Sequence, residues 1–171
     1  MKHRMIDIGQ GFPAVEFYPD ADQVEEAKVL AMSFKGTPLQ GLRSKVTGMV
    51  VQVVARDLYG AEDVNGYDYD LLKDGHKIDV KGKKINVLPR PHYVVAVQER
   101  QREQECEWYL FGMINPDLKR GWLLGQAQKE FYWNHPKLVE RHPGDRLYNG
   151  HITQMHCHEL AIKYLKQMRK V

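Results

Sequence analysis

The sequence predicts an α/β fold in which helices flank a central mixed sheet. Apolar residues recur at helical spacing in the first third of the chain, and from residue 67 they alternate instead, as they do in half-buried strands. Another helical segment is predicted near the C-terminus. The order of helices, then strands, then helices is typical of one mixed domain, and a length of 171 residues fits a single domain over 1–171.

Residues 1–40 are predicted to form an N-terminal arm and a helix of that domain. Glycines and prolines in residues 1–19 favour an irregular or edge-strand arm. Asp22 is followed three residues later by Glu25, which resembles a capping box, so a helix is expected from about 23 to 34.

A second helix is predicted from about 42 to 58, because its apolar residues keep helical spacing until Gly60 ends the pattern. Its many valines lower the intrinsic helix propensity. We therefore expect burial against the sheet to stabilise this helix.

The middle of the chain carries the strand signals. A hairpin is predicted over 67–72 and 77–81, around the dipeptide Asp74-Gly75. Further strands are predicted over 92–98, 107–114 and 121–124, followed by a short helix over 126–133 and a final helix from about 158 to 169. Together with the flanking helices, these segments predict a central mixed sheet of four to five strands.

Composition limits the classes of function. The longest apolar runs are far shorter than the roughly 20 residues that span a bilayer, so we expect a soluble protein with no membrane association. Two cysteines are too few for a disulfide scaffold, which favours the cytoplasm. A net charge of +3 permits nucleic-acid binding without requiring it.

The sequence of the hairpin predicts which of its residues lie opposite each other. If Asp74 and Gly75 are the central residues of a type I′ turn, Lys73 pairs with His76. The same register places Asp70 opposite Asp79.

That register gathers polar side chains on one face of the hairpin. Asp68, Asp70, Asp79 and Lys81 are expected to project together, and the apolar side chains on the other face are Leu71, Ile78 and Val80. Directly opposed carboxylates repel, and a divalent cation would compensate for that repulsion. Oxygen ligands suit Mg²⁺ or Mn²⁺, with Lys81 placed to activate a water or stabilise developing charge.

This stretch resembles the PD-(D/E)XK nuclease signature. Asp70 matches its first acid, and Asp79-Val80-Lys81 matches its acid-x-Lys. The likeness continues weakly through Tyr109-Leu110-Phe111-Gly112, Gly121-Trp122-Leu123 and Pro143-Gly144-Asp145, as in small nucleases of bacteria and phages.

The resemblance implies a restriction-endonuclease-like core and metal-dependent hydrolysis of DNA phosphodiester bonds. It makes Asp70 and Asp79 the metal ligands and Lys81 the group that activates water. Many members carry a Glu on the preceding helix, where this chain offers Gln52, so Gln52 and Asp68 are expected only to assist.

Basic residues near the hairpin are candidates for contacts with DNA phosphates: Lys45, Lys83, Lys84 and Arg90. The alternative function is a nucleic-acid-binding or scaffold module that keeps the nuclease fold without catalysis, which Gln52 favours. A weaker option is an unrelated α/β domain whose hairpin binds a protein partner. The sequence leaves a homodimer open.

A second set of residues raises a zinc hypothesis: His151, His156, Cys157 and His158. Their spacing matches none of the common structural zinc pairs. His156 and His158 are expected to point in divergent directions, so a capping or surface role is favoured for this group.

Overall fold

A computed structural model describes residues 1–33, 42–147, 150 and 152–167 of the chain. Within those residues the strands are β1 (Lys2–Asp7), β2 (Pro13–Tyr18), β3 (Glu62–Asp63), β4 (Leu71–Lys73), β5 (His76–Lys84), β6 (Val94–Gln98), β7 (Trp108–Ile114), β8 (Gly121–Gln128), β9 (Val139–Arg141) and β10 (Cys157–Ala161). The α-helices are α1 (Ala21–Ser33), α2 (Leu42–Tyr59) and α3 (Lys129–Trp133). The mixed α/β class is confirmed.

The strands form two sheets. The larger has the order β1-β2-β8-β7-β5-β4-β3, with β5 and β7 parallel and every other neighbouring pair antiparallel. The smaller has the order β6-β10-β9 and is antiparallel. The prediction of one sheet with four to five strands was wrong. Long-range pairing adds the N-terminal arm and the short β3 to a seven-stranded sheet, while the strand predicted over 92–98, observed as β6, belongs to the smaller sheet.

The N-terminal arm is an integral part of the larger sheet. Strands β1 and β2 form a hairpin, and β2 pairs with β8. Glu16 on β2 is fully buried and accepts hydrogen bonds from Arg4 Nε at 2.7 Å and Arg120 Nε at 2.8 Å. Two guanidinium groups therefore compensate the buried carboxylate and tie β1 and the turn before β8 to β2.

Helix α2, which the sequence predicted, packs against β5 and β7 on one face of the larger sheet. The approach is close because two glycines lie beneath it. A Cβ at Gly112 would lie 2.5 Å from Val51 Cγ1, and a Cβ at Gly82 would lie 2.9 Å from Gly48 Cα. The helix buries four valines completely, Val50, Val51, Val53 and Val54. This burial offsets their low helix propensity.

The opposite face of the larger sheet packs against the smaller sheet and α3. Aromatic side chains dominate this second core and include Tyr109, Phe111, Trp122 and Tyr132. They meet Val95, Val97 and Leu160 from the smaller sheet. Side chains of β5 that point away from α2 therefore face this second core.

The predicted final helix from about 158 to 169 was wrong. Residues Cys157–Ala161 form β10, the central strand of the smaller sheet, and a single turn of 3₁₀-helix follows at Ile162–Tyr164. Residues 168–171 lie outside the described part of the chain. Among the described helices, none has the length and hydropathy needed to cross a membrane.

Candidate active site

The predicted turn of the β4–β5 hairpin is confirmed. Lys73 pairs with His76, and the same register continues to Leu71 opposite Ile78. Asp74 and Gly75 have φ angles of 50° and 82°. Two successive positive φ angles are what a type I′ turn requires.

The strand pairing ends at Asp70, which nevertheless keeps its carboxylate against β5. The backbone N–H of Asp70 donates to the Ile78 carbonyl at 3.0 Å, and its Oδ2 accepts the Val80 N–H at 2.7 Å. The Asp70 carbonyl accepts hydrogen bonds from the N–H groups of Val64 and Asn65. Four hydrogen bonds to neighbouring backbone groups thus hold Asp70 just outside the β4–β5 pairing.

Asp79 and Lys81 lie side by side on β5 and point away from α2. Their side chains are 6% and 15% exposed and form an ion pair through Asp79 Oδ2 and Lys81 Nζ. The alternating residues Ile78 and Val80 pack into the core beneath α2, as the sequence predicted. The hairpin therefore separates a charged face from an apolar one.

The electrostatics of the site are unfavourable for two carboxylates. Burial raises the pKa of Asp70 well above its ordinary value, and the charge of Asp79 and a hydrogen bond between the two carboxyl groups raise it further. The charge of Lys81 and the hydrogen bond from Val80 N–H act in the opposite direction. One ammonium group does not balance two ionised carboxylates, so Asp70 and Asp79 are the side chains here that could hold an additional cation.

The position predicted for Asp68, opposite Lys81, was wrong. Asp68 Oδ1 accepts the backbone N–H of Glu105 at 3.3 Å. Because the chain leaves the sheet at Asp70, the strand alternation does not extend back to Asp68. This carboxylate instead anchors residues 99–105 beside the hairpin.

Gln52 contacts the site indirectly, from the side of the sheet that α2 covers. Its side chain is buried on α2, and its amide nitrogen donates to Asn65 Oδ1 at 2.6 Å. The backbone N–H of Asn65 in turn donates to the Asp70 carbonyl at 3.1 Å. The hydrogen bonds thus connect Gln52 to Asp70 through Asn65, on the side of the sheet that α2 covers.

The four basic residues predicted to contact DNA phosphates lie in different parts of the fold. Lys83 follows Lys81 on the charged face of β5, whereas Lys84 alternates to the side of α2. Lys45 is a partly buried residue near the start of α2, and Arg90 is exposed in the connection after β5. Of these four residues, Lys83 shares a face of β5 with the carboxylate site.

Tyr109, which the sequence analysis names only in the weak likeness to small nucleases, is a neighbour of the site. It lies opposite Asp79 on the parallel strand β7, and Lys81 Nζ is 5.9 Å from the centre of its ring. Its hydroxyl accepts a hydrogen bond from Trp133 Nε1 at 3.0 Å. Only the parallel pairing of β5 with β7 reveals this proximity, and no local sequence signal carries it.

Cys106 also lies near the carboxylates and is buried. Burial, and secondly the charge of Asp79, raise the pKa of its thiol to about 11. The thiol is therefore neutral at physiological pH, which argues against a nucleophilic role.

Comparison with protein-family models, with curated proteins and with solved structures found no match.

Proposed function

We propose that this chain is a metal-dependent nuclease that hydrolyses DNA phosphodiester bonds at Asp70, Asp79 and Lys81. The observation that carries the proposal is the convergence of two carboxylates and one ammonium group at the base of the hairpin, with Asp79 and Lys81 largely buried. The restriction-endonuclease-like core is part of this proposal. In its support, a helix precedes the hairpin and further strands of the same sheet follow it.

The donor set fits Mg²⁺ or Mn²⁺. Asp70 and Asp79 would hold the ion, because hard divalent cations of this size bind through one or two carboxylates and keep several waters. In addition, burial and the charge of Asp79 raise the pKa of Asp70, so a bound cation would stabilise its ionised form. When bound, such an ion polarises the scissile phosphate and lowers the pKa of a coordinated water.

The side chains of this chain supply the remaining chemistry. Lys81 holds the Asp79 carboxylate in place, and its ammonium group can stabilise negative charge that develops on the phosphate. Val80 N–H fixes Oδ2 of Asp70, which orients the carboxylate that would hold the ion. Lys83, on the same face, would contact the DNA backbone without reading sequence.

The second candidate is a nucleic-acid-binding module without catalysis. One observation favours it: Gln52, in the region where many PD-(D/E)XK members have a Glu ligand, brings no charge, and its amide nitrogen is engaged by Asn65. Without that Glu, the site offers one carboxylate ligand fewer than those members have, so it would bind a metal ion less tightly than they do.

Cleavage of labelled duplex, single-stranded and branched DNA in Mg²⁺, Mn²⁺ or EDTA tests the proposal. The variants are Asp79→Ala and Lys81→Ala, and the matched control is Asp74→Asn at the tip of the same hairpin, where Asn tolerates the positive φ. We expect metal-dependent cutting that both site variants abolish and the control retains. If the wild type binds these DNAs without cutting any of them, and metal does not affect binding, the non-catalytic module is correct instead.

A further inference from the structure

A second group of metal-binding side chains lies on the smaller sheet, away from Asp70 and Asp79. It consists of three histidines and two glutamates, Glu99, Glu140, His142, His156 and His158. Imidazole nitrogen mixed with carboxylate oxygen is the ligand chemistry of zinc and its transition-metal neighbours, whereas Mg²⁺ prefers oxygen alone. The two sites therefore call for different ions.

The strand register explains why these side chains meet. In the smaller sheet His158 lies opposite Glu140 on β9 and opposite Val97 on β6. The N–H of Glu99 donates to the His156 carbonyl at 3.1 Å, which continues the pairing one residue beyond β6. Residues two apart in an extended chain share a face. His156 and His158 therefore point the same way, and the expectation that they diverge was wrong.

The ligand atoms lie close together in two overlapping triads. Those of Glu99, His156 and His158 are all within 4.8 Å of one another, and the same holds for Glu140, His142 and His156. His158 Nε2 is 2.6 Å from Glu99 Oε2, and His156 Nε2 is 2.7 Å from Glu140 Oε1. Four ligands around a tetrahedral zinc are roughly 3.3 Å apart, so small side-chain movements suffice to accommodate an ion.

The first triad is the better site because it is less exposed. The side chain of His158 is 12% exposed, whereas that of His142 is 61% exposed. Glu99 Oε2 and His158 Nε2 are both buried, and despite their short separation they are not aligned as a hydrogen bond. The Trp133 ring packs edge-on against His158 at 5.0 Å and fixes its orientation. Buried polar atoms normally have an aligned hydrogen-bond partner, so the lack of one at both of these atoms fits a pair of metal ligands.

We infer that Glu99, His156 and His158 bind one divalent transition-metal ion of the zinc type, with Glu140 and His142 beside its open side. Two carboxylates face this position, and Arg102 Nη1 lies 3.7 Å from Oε1 of Glu99. A divalent ion would balance the two negative charges. Two histidines and one glutamate, with a position left for water, are the ligand set of catalytic rather than structural zinc sites.

Isothermal titration of the full chain, prepared without a polyhistidine tag, with Zn²⁺ tests the inference, and absorption after Co²⁺ addition reports the coordination geometry. We expect one equivalent of Zn²⁺ and visible Co²⁺ bands of a four-coordinate site. His156→Ala and His158→Ala should each weaken binding by at least tenfold. The matched control is His76→Ala, since His76 is also paired with a glutamate, Glu107, at 2.8 Å.

Further variants keep the result interpretable. Asp79→Ala should bind Zn²⁺ as the wild type does, which separates this site from the proposed nuclease site. Glu99→Gln tests the same triad through a more exposed residue if His158→Ala fails to fold, as judged by thermal unfolding in EDTA. The inference is overturned if the wild type takes up no Zn²⁺, if His156→Ala binds it unchanged, or if His142→Ala abolishes binding while His158→Ala does not.

Discussion

Replacing Lys81 by methionine should destabilise the protein strongly. Methionine keeps much of the length of the apolar stem but removes the ammonium group that pairs with Asp79. Because the Asp79 side chain is only 6% exposed, its carboxylate cannot recover its hydration in the folded state. Removing one partner of a buried ion pair typically costs about 3–5 kcal/mol. The second carboxylate, Asp70, adds to the penalty, since it repels Asp79.

The assay is urea denaturation in EDTA, in which the midpoint shifts and the slope stays constant if only stability changes. The penalty should shrink as the pH falls through the raised pKa of Asp70, because protonation of that carboxyl group relieves its repulsion of Asp79. The double variant Asp79→Asn with Lys81→Met should recover most of the loss, since both charges are then gone. Mg²⁺ at about 100 times its Kd should restore about 2.7 kcal/mol in Lys81→Met.

Two results would refute this reasoning. A loss below about 1 kcal/mol in Lys81→Met would mean that the pair behaves as a solvated surface ion pair. A double variant as unstable as Lys81→Met alone would mean that the loss comes from packing and not from the unpaired carboxylate.

Three further predictions concern stability. Gly121→Ala should lower the free energy of unfolding by about 1–3 kcal/mol, because its Cβ would lie 2.3 Å from Phe17 Cζ. Gly48→Ala should raise it by about 0.5–1 kcal/mol, because the added Cβ meets open space on a helix. Chemical denaturation of both variants measures the contrast. Asp70→Asn should stabilise the metal-free protein at pH 8, since the raised pKa makes the ionised carboxylate unfavourable when folded, by about 1.4 kcal/mol for each unit of that rise. The gain should vanish below the unfolded pKa of about 3.9, and a persistent gain at pH 3 would contradict it. Glu16→Gln should cost about 2 kcal/mol at pH 7, because it removes a charged acceptor. Burial raises the pKa of Glu16, but hydrogen bonds from its two arginine partners lower it overall. The stabilisation by Glu16 should therefore be lost as the pH falls through that lowered pKa. A stability difference between wild type and variant that is the same at pH 7 and pH 3 would refute this.

The parts of the fold that the sequence predicts well have local causes. The 18 residues of α2 repeat the helical pattern over several turns, and the Asp74-Gly75 turn determines its own register. From that register follow the shared face of Asp79 and Lys81 and the position of Val80 in the core. Local chemistry is sufficient for each of these predictions.

Where pairing over long distances decides the structure, the sequence is a poor guide. The five residues Cys157–Ala161 are too few to distinguish a helix from a strand by periodicity, and pairing with β6 and β9 makes them a strand. The expected divergence of His156 and His158 was wrong because residues two apart on an extended chain share a face. The approach of Tyr109 to Asp79 likewise depends on the parallel pairing of strands that are far apart in the chain.

The connection between β6 and β7 links the two candidate sites. Its residue Glu99 belongs to the histidine cluster, while Glu105 N–H binds Asp68 beside the hairpin. In between, the Gln101 carbonyl accepts a hydrogen bond from the hydroxyl of Tyr109 at 3.4 Å. A surface loop ordinarily tolerates insertions, but here an added or deleted residue between 99 and 105 would displace a ligand at one end or a support of the carboxylate hairpin at the other. The length of this connection therefore affects both candidate sites. A change in its length that alters one site is expected to alter the other as well.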